Sequence, residues 1–358
     1  MRLYDRLADL PLRVEGCSLA RNERETSSDM TRVTTTVSLH GDGHTGMGED
    51  VTYESDAHDV FVAAEARGSL DLALEGEYSL ASFSRHLDGR DLFPEPPARE
   101  DFRHYRRWAF ESAALDLALR QRDTTLPAAL GLDADPVRFV VSTRLGDPPS
   151  MDRIDDLLDV SPDAEFKLDP VPEWTDDLVA DLADLGRVRI LDLKGQYRGE
   201  DTSVANPGDP DLYERLVEAF PEAVFEDPDL TDETEPIVSR VTERVSWDAP
   251  ITGIESVRNL PFAPRWLNVK PSRFGTLASL LDTVEYCQRE DITMYGGGQF
   301  ELDVGRGQIQ LLASLFYPEG PNDVAPGGYN DPVPEPGLPA SPLDPGAVEG
   351  FRLDYSTN

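Results

Sequence analysis

The chain has 358 residues, 69 acidic against 33 basic, for a formal net charge of −36. Aromatic and aliphatic residues run along its whole length, which excludes disorder as the source of that charge, and so acidic a surface repels nucleic acid and anionic membranes. The length exceeds what a single core holds, so two domains, or one barrel with an appended cap, are expected.

A uniformly acidic surface keeps a protein hydrated in concentrated salt, where screening removes the self-repulsion, so a halophilic host is expected. Cys17 and Cys287 are too few and too far apart for a disulfide framework or a thiolate metal site, which fits a reducing cytoplasm. Asp5 and Asp9 interrupt the first thirteen residues, so neither a signal peptide nor an anchor is read there. Only three lysines occur, Lys167, Lys194 and Lys270. Where arginine has taken nearly every basic position, a remaining lysine points to a task arginine cannot perform, such as proton exchange. Chance survival in salt bridges is the plainer alternative.

In chain order, residues 33–39 read as a strand, followed by the Gly41-Asp42-Gly43 turn and a segment ending Gly46-Met47-Gly48-Glu49, which makes a hairpin. Helical spacing from Asp101 to Gln121 predicts one long helix. Its arginines Arg103, Arg106 and Arg107 read as a solvated, salt-bridged face. Residues 1–135 are therefore expected to form an α+β capping domain, completed by 340–358.

From 136 to 335 short apolar runs alternate with amphipathic segments. Strands are expected at 137–142, 165–168, 188–193, 223–225, 251–254, 267–269 and 293–295. Helices are expected at 151–160, 173–185, 210–220, 234–245, 275–289 and 306–316, with a shorter segment after Glu255. Strict alternation implies a parallel sheet, closed as a barrel or open and doubly wound. The Gly-rich dinucleotide fingerprint is absent, and Gly296-Gly297-Gly298 reads as a tight turn rather than a phosphate cradle.

In a parallel barrel the functional groups project from the C-terminal ends of the strands. Here those ends carry Lys167 and Asp169, Asp192 and Lys194, Glu226, Glu255, Lys270 and Glu301. Period two sets Lys167 with Asp169, and Asp192 with Lys194, on common faces. Buried charges are costly unless paired or coordinating, so this ring suggests a site. Convergent acids can hold a divalent cation, and a lysine beside it can serve as a base, which suits proton abstraction next to a carboxylate.

These features resemble the enolase superfamily, in its mandelate racemase and muconate lactonizing branch, over about residues 30–330. The likeness rests on Gly46-Met47-Gly48-Glu49, Ala113 to Leu119, Phe166-Lys167-Leu168, Phe225-Glu226-Asp227-Pro228, Ile251 to Val257 and Asn268-Val269-Lys270. It implies a modified (β/α)7β TIM-type barrel, α/β in class, with an N-terminal α+β cap. It also implies Mg²⁺ held by Asp192 and Glu226, Lys270 as sixth-strand base, and Glu301 as an acid hydrogen-bonding a substrate carboxylate. Lys167 matches the first lysine of the family's Lys-x-Lys, while Asp169 replaces the second. Lys194 stands where the family has asparagine and can partly substitute for metal. Ile254-Glu255-Ser256 replaces Asp-Glu-Ser, so Glu255 is expected as third ligand.

All five histidines precede residue 105, so the histidine–aspartate pair of some members cannot form. The residues favour a lyase, dehydratase or isomerase over a two-base racemase, unless Asp169 is the second base. A lysine Schiff-base aldolase, and a divergent metal-independent or non-catalytic barrel that binds a carboxylate, remain as alternatives. The expected partner is a small carboxylate substrate, chosen by cap loops at 15–29 and 83–91; a homo-oligomer is left open.

Overall fold

The structure is a computed structural model that describes residues 2–28, 30–70, 72–197 and 205–354. Asp29 and the end of the tail predicted over 340–358 lie outside it. Strands β1 (Pro11–Val14), β2 (Gly16–Glu25), β3 (Thr31–Gly41) and β4 (His44–Asp50) open the N-terminal part, followed by α1 (Ser55–Ala66), β5 (Gly76–Ser79), α2 (Leu80–Asp88) and α3 (Phe102–Arg120). The predicted hairpin is β3–β4, which with β2 forms a three-stranded antiparallel sheet.

This hairpin lies on the alanine-rich face of α3 so closely that a Cβ at Gly46 or Gly48 would collide with the helix backbone. Glycine is needed there for close approach. Asp116 on α3 fixes both neighbours, accepting from Met47 N at 3.0 Å and from Phe351 N in the C-terminal tail at 2.9 Å. Arg106 departs from the solvated face expected of it. It is fully buried, 2.7 Å from Asp50, whereas Arg103 keeps exposed ion pairs with Asp91 and Glu100.

After α4 (Leu126–Leu130) come β6 (Val141–Thr143), α5 (Asp152–Val160), β7 (Phe166–Leu168), α6 (Asp176–Leu185), β8 (Val188–Asp192), α7 (Pro210–Ala219) and β9 (Val224–Glu226). Then follow α8 (Glu235–Val238), β10 (Val245–Trp247), α9 (Ile254–Arg258), β11 (Trp266–Val269), α10 (Pro271–Phe274), α11 (Leu277–Arg289), β12 (Thr293–Gly296) and α12 (Val304–Phe316), with β13 (Ala347–Glu349) and β14 (Arg352–Asp354) in the tail. Local signals set the helix ends. Thr175, Asp209 and Thr276 cap α6, α7 and α11 with their side-chain oxygens, Pro210 fits the first turn of α7, and Gly186 ends α6 at φ +67°.

Strands β6 to β12 form one parallel sheet in sequence order. Asn322 and Asp323 bridge Phe139 at one edge and Gly297 at the other. Asn322 accepts from Gly296 N at 2.6 Å and donates to Arg138 O at 2.9 Å, so one side chain ties the two edges of the sheet together.

The fifth strand is a correction. It is β10, Val245–Trp247, not 251–254, and the helix expected over 234–245 shrinks to α8 and a 3-10 turn at Thr242–Arg244. Residues 254–258 form the surface helix α9. Gly296 ends β12 rather than opening a turn into a helix, and α12 starts only at Val304. Among the described residues no helix is long and apolar enough to cross a membrane.

Candidate active site at the barrel mouth

The strand ends bring Lys167, Asp192, Glu226, Asp248 and Lys270 to one side of the barrel, with each carboxylate completely buried. Lys167 Nζ lies 2.5 Å from Glu226 Oε1, 3.2 Å from Asp192 Oδ2 and 3.5 Å from Asp323. Lys194 folds its ammonium onto Asp192, two residues before it, and also lies 3.4 Å from Asp169. Lys270 Nζ is 2.8 Å from Asp248, which is also contacted by Arg273 at 3.3 Å. Glu226 further accepts from Tyr295 OH and, at 3.2 Å, from Asn268 Nδ2.

The lysines open onto a cavity of about 700 Å³, within the range of small-molecule sites. Its roof comes from the N-terminal domain, including Tyr53 and Arg99, and its wall includes Asp169, Arg144 and Gln299. Six cationic side chains and three carboxylates line it. The lining is thus richer in cations than in acids, whereas the chain as a whole carries about two acids per base. All three lysines of the protein are in this one wall.

Burial disfavours every charge here, and the partners decide the outcome. It pulls Lys167 down, but Glu226, Asp192 and Asp323 outweigh it and hold the ammonium well above the usual lysine range. Asp169 and Asp192 do the same for Lys194, and Asp248 with Tyr197 for Lys270. Asp192 is driven down by Lys194 and Lys167 despite its burial. Glu226 moves the other way, raised by burial and by the neighbouring Asp192, with Lys167 opposing the rise. Arg273 and Lys270 overcome burial to hold Asp248 at about 2.

Mg²⁺ does not fit these residues. It demands near-octahedral oxygen ligands at about 2.0–2.1 Å. Here Asp192 Oδ1 accepts from Lys194 N at 3.2 Å, Asp192 Oδ2 faces two ammonium groups, and both Glu226 oxygens are engaged. Only Asp248 Oδ1 lacks a hydrogen bond, and Arg273 Nε stands 3.3 Å from it. A dication about 4 Å from one ammonium is repelled by roughly 8 kcal/mol at an effective dielectric of 20. No cluster of three or more metal-binding side chains occurs among the described residues.

Two expected residues are not brought to the centre. Glu255 sits on α9 with its side chain 79% exposed, paired with Arg258 at 2.7 Å. Asp248, at the end of the true fifth strand, takes the place expected for it. Glu301 is buried behind the cavity and accepts from Gln299 N at 2.8 Å, so Gln299 and Phe300 face the cavity instead. Of the cap loops, only the end of the first contributes, through Ser28; 83–91 does not line the cavity, and Tyr53, Glu54, Ala98 and Arg99 do.

Sequence reasoning missed Asp248, Asn268, Arg273 and Tyr295. Asn268 and Lys270 share a face by period two, and Arg273 follows Lys270 at the start of α10, so two of these had a legible signal.

Residues 133–331 match the C-terminal domain, and residues 5–129 the N-terminal domain, of a family described as domain of unknown function (DUF8230). No curated protein matches the sequence. Among solved structures, the chain resembles muconate lactonizing enzyme from Pseudomonas fluorescens complexed with muconolactone, 16% identical at a TM-score of 0.65, covering 96% of each chain. It also resembles a probable mandelate racemase from Alicyclobacillus acidocaldarius, 18% identical at 0.63 over 96% of this chain and 92% of that one. A third is an unknown member of the enolase superfamily from Enterococcus faecalis V583, 16% identical at 0.64 over 89% and 88%. At such identities the likeness establishes the fold, an α/β TIM-type barrel behind an N-terminal domain. By the match of both its domains, the chain belongs to the DUF8230 family.

Proposed function

We propose that this chain is an enzyme of the enolase type, a lyase or isomerase, that takes a small carboxylate into the barrel mouth and moves a proton at the adjacent carbon. The observation that carries this is the convergence of all three lysines on one cavity of a chain with net charge −36. The solved neighbours that act on such molecules, muconate lactonizing enzyme among them, support the reaction class. The (β/α)7β variant of the barrel belongs to the same reading.

Lys270 and Asp169 stand on strands four apart in the sheet, on opposite walls. Asp248 keeps Lys270 protonated, so Lys270 serves as the proton donor and Asp169 as the acceptor. In a β-elimination, Asp169 takes the proton next to the carboxylate. The C–H electrons form the C=C bond, and Lys270 protonates the departing group. Lys194, the more open of the two ammonium groups on Asp192, holds the negative charge that builds on the carboxylate. A Schiff base needs a neutral amine, and all three lysines are shifted away from one.

The test is deuterium exchange followed by NMR, with acid sugars and other small hydroxy acids in D2O. Exchange or elimination that is lost at least ~100-fold in Lys270→Met and in Asp169→Asn is the expected result. Binding of carboxylates with no exchange would favour a second reading, a non-catalytic carboxylate-binding barrel, which the firmly protonated lysines also suit.

A further inference from the structure

We propose that Lys194, seconded by Lys167, occupies the place of a divalent cation, so that the cavity holds its anion by ammonium groups and needs no metal. Asp192, Glu226 and Asp248 end or follow three neighbouring strands, β8, β9 and β10, and all are fully buried. Three adjacent buried carboxylates require positive charge beside them. That charge is already present as Lys194 and Lys167 on the Asp192–Glu226 side, and as Lys270 and Arg273 on Asp248.

Lys194 is held in this position by its backbone. Its φ is +56°, a left-handed conformation that a long side chain adopts only where the surroundings over-determine it. Those surroundings are visible. Its N–H donates to Asp192 Oδ1 at 3.2 Å, its carbonyl accepts from Asn206 N at 3.3 Å, and its ammonium returns to the same aspartate. The chain thus wraps once around Asp192 and sets a positive charge over it.

The two ammonium groups differ in access. Lys167 is 1% exposed, with three carboxylates around it, whereas Lys194 is 14% exposed on the cavity wall, with two. An ammonium has three donors, so Lys194 keeps one for a ligand oxygen. A compact, strongly hydrated point charge resembles a metal ion more closely than a guanidinium fork does. This accounts for lysine surviving here in a chain with only three lysines among its 33 basic residues. The ligand class is a small carboxylate, whose developing negative charge Lys194 would meet directly.

The inference rests on the reading above only for the nature of the anion. It is tested on EDTA-treated full-length protein by titrating magnesium into the wild type, Lys194→Asn and Lys194→Asn/Lys167→Met. The wild type should give no saturable heat. The variants should bind magnesium at least about tenfold more tightly than it does, since a positive charge beside the dication has been removed. Malonate, used as a probe, should bind the wild type equally with and without EDTA, and should bind Lys194→Asn more weakly until magnesium is added.

Saturable magnesium binding to the wild type that Glu226→Gln abolishes would overturn the proposal, as would folded variants that stay indifferent to magnesium. Should the variants not fold, the wild-type melting temperature decides. At constant ionic strength, no change with magnesium supports the proposal, and a concentration-dependent rise refutes it. Whether malonate binds at all tests the carboxylate reading, and the magnesium arms test this one.

Discussion

The N-terminal domain and the barrel mouth both bury charge, but with different cations. In the N-terminal domain Arg106 pairs with Asp50 at 2.7 Å, donates to the carbonyls of Ala57 and Leu92, and lies between the rings of Phe61 and Phe93 at 4.0 and 3.7 Å. His58 stands 3.8 Å from the same carboxylate. Both members of the Arg106–Asp50 pair are completely shielded from solvent, and every side of the guanidinium is occupied. In the barrel mouth three of the six cations are lysines, and they face a cavity. A planar fork suits a joint that must keep one geometry, whereas a compact ammonium can meet a carboxylate of the protein and one of a ligand in turn. Residue choice thus differs between an ion pair closed on every side and the lysine pairs that line the cavity.

The strongest way to break this contrast is Arg106→Met. It leaves Asp50 buried without its partner and should cost about 3–5 kcal/mol in urea unfolding, while malonate binding by the folded fraction stays at the wild-type level. A loss below about 1 kcal/mol would mean that the pair is not the structural joint described here.

A second contrast lies in pH. Glu49 accepts from the backbone N–H groups of Leu302, Asp303 and Gly305, joining the cap hairpin to the barrel. Burial pushes it up to about 7, above its ordinary 4.5, and the nearby Glu301 adds to the rise. The folded state therefore keeps a proton that the unfolded chain has released. This contribution is complete below about pH 4.5 and is lost as pH rises through about 7, worth roughly 3 kcal/mol at most. Glu49→Gln should flatten that fall in melting experiments between pH 5 and 8.

Asp248 behaves oppositely. Its shift down from 3.8 to about 2 gives stability that is present above about pH 3.8 and lost as pH falls through about 2. Asp248→Asn should flatten the acid limb of the curve. The smallest effect is expected of Glu255→Gln, which removes an exposed carboxylate paired only with Arg258. Melting temperature and malonate binding should not change. Any loss of ligand binding would restore Glu255 to the site.

Much of the barrel was legible because its signals are local. Each of β7, β8, β9 and β11 is an apolar run that ends on or beside the charged residue it presents, so Lys167, Asp192, Glu226 and Lys270 could be placed from the chain alone. The cap hairpin and α3 were equally readable, since a turn and a helical period lie within a few residues of each other.

The fifth strand was not. Val245-Ser246-Trp247 is three residues long and buried on both faces, so it shows no alternation, and the more apolar stretch around Ile251 imitates a strand better. Pairing with β9 and β11 on either side selects it, and with it Asp248 in place of Glu255. Arg106 followed the same logic, since helical spacing cannot reveal that Asp50 and the rings of Phe61 and Phe93 close over it while Arg103, one turn earlier, stays open.

Sequence by itself determined which charged groups this protein has and, the fifth strand apart, at which strand ends they lie, because propensity and period act over short distances. Only the tertiary structure decided which cation meets which carboxylate. Lys167 on Glu226 and Lys270 on Asp248 are set by strand order, strand-end geometry and the loss of water around them, none of which is encoded in spacing along the chain.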